Sequence, residues 1–212
     1  MQQTTTATTT GTWTEEEIRQ QPASWIRSLN NIDNLRASID SFLTPLLRKD
    51  DLRIVLTGAG TSAFIGDIVS PWLASYTGKN FTAVPTTDLV TNPVDYFSPA
   101  HPLLLISFAR SGNSPESVAA VELASQLLSE CHHLVLTCNG EGELYRRCQK
   151  DARSLALLMP PQTHDRSFAM TSSLTCMLLA ALTVMNTVAS GTALVLDARL
   201  AALAVAAVAL WL

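Results

Sequence analysis

Leu52-Arg53-Ile54-Val55-Leu56-Thr57-Gly58-Ala59-Gly60-Thr61-Ser62-Ala63 is an apolar strand that runs straight into a Gly/Ser/Thr turn and then a helix start. The pattern returns between Leu103 and Ser117, where Leu-Leu-Leu-Ile-Ser-Phe-Ala leads into Arg110-Ser111-Gly112-Asn113-Ser114-Pro115-Glu116. A helix N terminus presents unpaired backbone N–H groups and the positive end of the macrodipole, and serine and threonine hydroxyls add donors beside them. Two such cradles side by side suit a phosphorylated small molecule.

Working outward from these turns, β-rich runs fall at Leu52–Thr57, Phe81–Val84, Leu103–Ser107, Leu134–Cys138 and Leu155–Leu158. They alternate with helical stretches near Ser62–Tyr76, Ser114–Ser129 and Glu141–Cys148. Strands alternating with helices predict an α/β fold, a parallel sheet covered on both faces. Ahead of it, Thr14 reads as an N-cap with Glu17 completing a capping box, and a helix is expected from about Ile32 to Leu47 with Leu35, Ile39, Phe42, Leu43 and Leu46 on one face. The Thr-rich first eleven residues read as a disordered leader.

Composition narrows the function. The chain has 212 residues, enough for one good core, and a formal net charge of −4 with scattered Lys and Arg, so nucleic acid is not an expected partner. Cys131, Cys138, Cys148 and Cys176 show neither CxxC pairing nor metal-ligand spacing with His, which points to reduced thiols in a cytoplasmic protein without a metal. From Ser167 to Leu196 no side chain is charged, yet Ser172, Ser173, Thr175, Thr183 and their like suit a helix wedged against the sheet or a partner better than lipid. A membrane span is therefore not expected. After Arg199 the chain is nearly all Ala, Leu and Val, a surface that needs cover, and a homo-oligomer is expected.

Gly58-Ala59-Gly60-Thr61-Ser62-Ala63 fits G-x-G-x-x-A, but Asp88 comes too late after the next strand to hold a dinucleotide ribose. Thr61 and Ser62 favour a phosphate or sugar oxygen, the alternative being that they only shape the turn. In the second turn Ser114 is placed as N-cap and Pro115 as the first helical residue, so the N–H groups of Ser111, Gly112 and Asn113 converge ahead of the helix. Arg110 is either a phosphate partner or one half of a surface ion pair.

These two turns resemble the signature loops of the sugar isomerase (SIS) domain family. Trp13-Thr14-Glu15-Glu16-Glu17-Ile18, Pro85-Thr86-Thr87-Asp88-Leu89-Val90-Thr91-Asn92-Pro93 and Thr163-His164-Asp165-Arg166-Ser167-Phe168-Ala169-Met170-Thr171-Ser172-Ser173 extend the resemblance, over roughly Gly11 to Met185, to its bacterial galactosamine-6-phosphate deaminase and tagatose-6-phosphate ketose/aldose isomerase branch. The resemblance implies a three-layer α/β/α sandwich with a five-stranded parallel sheet of flavodoxin-like kind, no cofactor, and a phosphorylated sugar or amino sugar bound at the carboxyl ends of the strands. Matched motif to motif, Ser111 and Ser114 with the N–H groups of Arg110 to Asn113 hold the phosphate, Gly60, Thr61 and Ser62 reach the sugar, and Thr171 or Ser172 closes the far side. Ala109 departs from the pattern, since many relatives carry a serine there.

The implied organisation is a leader over 1–11, N-terminal helices over 12–50, an SIS phosphosugar-binding domain over 51–186 and an atypical apolar tail over 187–212. Enzymes of this kind usually carry two such lobes, with the enolisation base, a Glu, and a ring-opening His in the second. The tail does not read as the start of a second lobe and is what a truncation or frameshift would leave. Aldose–ketose isomerisation needs a base beside the carbon next to the carbonyl and donors for the enediolate. The candidates among these motifs are His164 and Glu116, together with Asp165 and Asp88; Glu116 competes with a helix-dipole role, His164 with a capping one, and His101, His132 and His133 read as structural. Two functions follow: an isomerase/deaminase lobe, or a non-catalytic phosphosugar-binding module of the kind fused to regulators. The absence of a helix-turn-helix segment ahead of the domain favours the first.

Overall fold

The computed structural model describes residues 12–190, with side chains followed as far as Met185. Its five strands form one all-parallel sheet in the order β2-β1-β3-β4-β5: β1 (Arg53–Gly58), β2 (Asn80–Ala83), β3 (Leu103–Ala109), β4 (Cys131–Thr137) and β5 (Ser154–Leu158). Every residue of β3 is buried, as are all but the first of β1. Such strands covered on both faces read as unbroken apolar runs, and that is why they stood out in the sequence.

Successive side chains of a strand point to opposite faces, so each strand feeds two cores. Ile54 and Leu56 of β1, Leu104, Ile106 and Phe108 of β3, and Leu134 and Leu136 of β4 pack on one side with α2 (Gln21–Asn34), α3 (Arg36–Leu47), α4 (Ala63–Thr77) and α9 (Ser172–Ser190). Val55, Leu103, Leu105 and Val135 pack on the other with α5 (Thr86–Thr91), α7 (Pro115–Leu127) and α8 (Glu143–Cys148). The result is the three-layer α/β/α sandwich. The remaining helices, α1 (Trp13–Arg19) and α6 (Pro93–Tyr96), are short.

Three details differ from the sequence reading. The N-cap of α1 is Thr12, whose hydroxyl accepts from Glu15 N at 3.3 Å, because the chain offers two overlapping Thr-x-x-Glu signals. Glu17 of the rejected signal is buried instead, 5% exposed. The single helix expected from Ile32 to Leu47 is broken between α2 and α3, which leaves Leu35 38% exposed rather than on the buried face with Ile39, Leu43 and Leu46. Third, α5 and α6 follow β2 where no helix was expected; at six and four residues they carry no readable period.

The uncharged run is a core helix over the part described. Ser172, Ser173, Cys176, Met177, Ala180, Ala181, Val184 and Met185 of α9 are buried against α2, α4 and the sheet. Among the described residues no helix is long and apolar enough to cross a membrane. The expected leader and the apolar tail after Arg199 lie outside the described residues.

All four cysteines are unpaired and buried, and burial pushes their thiols up to about 11 or 12. His133 is 3% exposed in β4, and burial pushes its pKa down to about 4. Ser125 Oγ donates to the Val121 carbonyl at 2.9 Å and so receives Nε2–H of His133, also at 2.9 Å, leaving Nδ1 buried without a partner among the described residues. The unfolded chain binds this proton near pH 6.5 and the folded one only near 4, so stability falls as pH drops through that window. Between pH 7.5 and pH 5 the loss from this group is about 2 kcal/mol, and His133→Gln flattens that part of a denaturation-versus-pH profile; an unchanged profile refutes the assignment.

Candidate functional site

The sheet order makes β1 and β3 neighbours whose onward connections leave in opposite directions, β1 to β2 on one side and β3 to β4 on the other. The crevice outside the carboxyl ends of two such strands is where open α/β sheets bind ligands. Both signature turns open there.

The first turn leaves β1 at Gly58 and passes through a 3-10 segment, Gly60–Ser62, into α4. Gly60 has φ +55°, a left-handed conformation that glycine adopts without strain, and space lies open above it. Gly58 is held more tightly: a Cβ there would stand 2.6 Å from Ser62 C and 2.7 Å from Ser62 O. Thr86 at the start of α5 donates its hydroxyl to the Gly58 carbonyl at 3.1 Å, which fixes the strand end beneath the turn. Thr61 is half-buried and Ser62 buried.

The second turn, Arg110–Ser114, is shaped by the connection between β4 and α8. Cys138 N donates to the Arg110 carbonyl at 3.2 Å, Asn139 Nδ2 to the Ser111 carbonyl at 2.8 Å, and Leu144 N to the Gly112 carbonyl at 3.0 Å. Three successive carbonyls are thus engaged by the connection between β4 and α8, and Gly112 takes a positive φ of +64° within the turn. The N–H groups of Ser111 and Gly112 have no acceptor among the described residues, while Asn113 N reaches Ser111 Oγ at 3.3 Å. This is a nest of inward N–H groups at a helix N terminus. Ser114 occupies the N-cap and Pro115 the first helical position, but the Ser114 hydroxyl donates to Ser117 Oγ at 2.6 Å rather than capping the helix. Glu116 lies half-buried in the first turn of α7.

Arg110 is not half of a surface ion pair. It is half-buried and donates Nη1 to the carbonyl of Asp165, and its buried Nε has no partner among the described residues. Asp165 itself is 2% exposed. Its Oδ2 accepts from Thr171 N at 2.9 Å, Ser173 N at 2.8 Å and Ser173 Oγ at 2.6 Å, and its Oδ1 from Ser172 Oγ. One carboxylate therefore caps α9 and shapes the loop after β5. Ser172, fully buried and also receiving Gln20 Nε2 at 3.1 Å, is committed to this network; the Thr171 hydroxyl, by contrast, is buried with no partner among the described residues.

The same loop is clamped from the other side by Glu17, whose carboxylate accepts from Arg166 N at 2.5 Å, Ser167 N at 3.1 Å and the Ser167 hydroxyl. The Arg166 guanidinium lies over the Trp13 ring, 4.7 Å from its centroid. His164 is largely exposed, and partial desolvation of its ring, followed by the nearby Arg110 charge, holds its pKa below the usual histidine value against the pull of Asp165. Asp88 is exposed on α5 with its carboxylate beside Thr87 Oγ1 at 3.3 Å. The roles of Glu17, Asn139 and Gly142, whose Cβ would stand 2.6 Å from the Ser111 carbonyl oxygen, carried no sequence signal strong enough to find them.

Residues 46–186 match the SIS domain. The chain belongs to the SIS domain family. This SIS chain is 69% identical over 181 residues to the D-galactosamine-6-phosphate deaminase AgaS of Escherichia coli, a match covering 85% of this chain and 47% of that protein. The corresponding protein of Shewanella sp. (strain ANA-3) is 48% identical over 175 residues, covering 81% of this chain and 45% of the relative. The crystal structure of tagatose-6-phosphate ketose/aldose isomerase from Escherichia coli superposes with a TM-score of 0.83 at 68% identity, over 86% of this chain and 50% of the other. The chain spans about half the length of the curated relatives it matches.

Proposed function

We propose that this chain is a phosphosugar-binding lobe of an aldose–ketose isomerase or deaminase acting on amino-sugar or ketose 6-phosphates of the galactosamine 6-phosphate and tagatose 6-phosphate kind. The observation that carries the reading is the Arg110–Ser114 turn, with three carbonyls bound behind it and the N–H groups of Ser111 and Gly112 left for an anion. Ser111, Ser114 and Asn113 then hold the phosphate, with Arg110 Nε as a further donor. Gly60, Thr61 and Ser62 lie against the sugar, and Thr171 closes the far side with the hydroxyl that lacks a partner among the described residues. Ser172 supports this wall through Asp165 rather than touching the ligand. The names of the relatives supply the sugar.

Turnover requires more. The base must reach the carbon beside the carbonyl, and the two candidates have competing roles: Glu116 sits in the first turn of α7, where its charge complements the helix N terminus, and His164 is an exposed residue of the loop after β5. In this reading the enolisation base comes from outside residues 12–190, and the isolated lobe binds without releasing ammonia. A cytoplasmic location belongs to the same proposal, supported by four unpaired thiols, as does self-association.

Calorimetry with galactosamine 6-phosphate and unphosphorylated galactosamine, beside an ammonia assay, tests it. The phosphorylated sugar binds and the other does not; equal affinity for both refutes the phosphate assignment. Hydrogen bonds to a charged group are worth roughly 1.5–3 kcal/mol, so Ser111→Ala weakens binding about tenfold or more. An unchanged affinity removes Ser111 from the site.

A further inference from the structure

The exposed face of α4 is apolar. Phe64, Ile68, Trp72 and Tyr76 follow one another at intervals of four residues and are 58%, 56%, 39% and 49% exposed. Trp72 and Tyr76 are stacked, ring centroids 4.9 Å apart at 7°. The opposite face, Ile65, Val69 and Leu73, is buried in the core, so the helix is apolar on both sides. Asp67 is the one charged residue among its fifteen. A surface helix ordinarily turns a polar face to water, and one that is apolar all round is covered by something.

We propose that this stripe is the contact by which a second copy of the chain associates, α4 against α4. Three observations favour a second copy. Residues spaced four apart form one continuous ridge, and ridges of this kind on two helices interdigitate in the commonest class of helix packing, in which each helix supplies the same ridge. A patch with a single carboxylate gives a charged partner nothing to pair with, whereas an isologous contact needs only self-complementary shape. The area is also of the right order: large side chains bury about 150–250 Å² each when fully covered, so four that are half-exposed supply roughly 400 Å² per copy, about half of one side of a standard interface. That is the apolar centre of an interface whose rim is polar.

The face is distinct from the uncharged run after Ser167, whose described side chains are largely spent on the chain's own core. It also begins two residues beyond Ser62, so the contact lies beside the first turn of the candidate site. The inference does not depend on phosphosugar binding.

Sedimentation velocity of the full chain from 1 to about 100 μM tests it. The parent associates, and Ile68→Glu, at the middle of the ridge, raises the dimer dissociation constant at least 100-fold while the melting temperature at low concentration and any affinity for galactosamine 6-phosphate per monomer persist. Tyr76→Lys, at the exposed far end, repeats the test should the first variant fail to fold. A parent that is monomeric throughout, or variants that associate as tightly as the parent, overturn the proposal; an Ile68→Glu monomer that retains sugar-phosphate binding upholds it independently of the functional reading.

Discussion

Asp165→Ala lowers the stability of the chain by about 3–5 kcal/mol, the largest effect expected of a single polar substitution here. Its carboxylate receives two main-chain N–H groups and two hydroxyls within a site that is 2% exposed. Removing the acceptor leaves those donors buried and unpaired, and each such group costs roughly 1–3 kcal/mol, partly relieved where the chain relaxes or water enters. The N terminus of α9 also loses its cap, worth about 1 kcal/mol by itself. For a domain of this size each kcal/mol moves the melting temperature by about 2–4 °C, so a fall of about 6–20 °C is expected. Asp165→Asn separates shape from charge: the amide fits, but its Nδ2 points a donor at donors, so most of the loss remains. A second readout comes through Arg110, whose guanidinium is held by the main-chain carbonyl of Asp165. When the loop loosens, Arg110 is no longer held at the crevice and sugar-phosphate affinity falls with stability. A variant within 1 kcal/mol of the parent in urea denaturation contradicts the account.

That dependence shows which parts of the site the sequence could reveal. The two turns were legible because each joins a doubly buried strand, which is an unbroken apolar run, to a helix through residues with special backbone demands; Gly60 and Gly112 both take positive φ. Those signals are local. The residues that hold the turns in place act across long separations: Glu17 on Arg166 and Ser167, Asn139 on Ser111, Thr86 on Gly58. A glutamate in Thr14-x-x-Glu17 looks like half of a capping box until the fold supplies a loop whose N–H groups it serves better, and Thr12-x-x-Glu15 then takes over the cap. Arg110 illustrates the same limit, for a loop arginine is ordinarily solvated, and only the return of the chain after β5 turns it inward. The break at Leu35 and the short helices after β2 were hidden for another reason: no glycine or proline marks the first, and six or four residues are too few to show a period. The resemblance offers Thr171 or Ser172 for the far side of the site, and it takes the fold to distinguish their surroundings: the Ser172 hydroxyl donates to Asp165, while the Thr171 hydroxyl is buried with no partner among the described residues.

Gly58→Ala is expected to do more damage than Gly60→Val, although Gly60 is the residue with the positive φ. At Gly60 the cost is conformational: φ +55° for a β-branched side chain costs about 1–3 kcal/mol, but nothing stands within 4 Å of the added Cβ, so no neighbour must move. At Gly58 even a methyl group would lie 2.6 Å from Ser62 C, 2.7 Å from Ser62 O and 2.9 Å from Ala63 N, all main-chain atoms. Rotamer changes cannot relieve that overlap. Either β1 or the start of α4 shifts, and both are fixed, β1 by ladders to β2 and β3 on either side and α4 by Ile65, Val69 and Leu73 in the core. Overpacking a close-packed interior costs about 1–3 kcal/mol where side chains can yield, and a main-chain contact belongs at or above the top of that range. The same displacement carries Thr61 and Ser62 away from the crevice, so affinity for a sugar phosphate falls at least tenfold in Gly58→Ala. Gly60→Val loses binding too, because a bulky side chain then occupies the open space above the turn, but it keeps more of its stability. Urea denaturation and calorimetry on the pair give the comparison directly: a Gly58→Ala protein that is both more stable and a better binder than Gly60→Val would mean that the first turn is not built on close contact between the end of β1 and the start of α4.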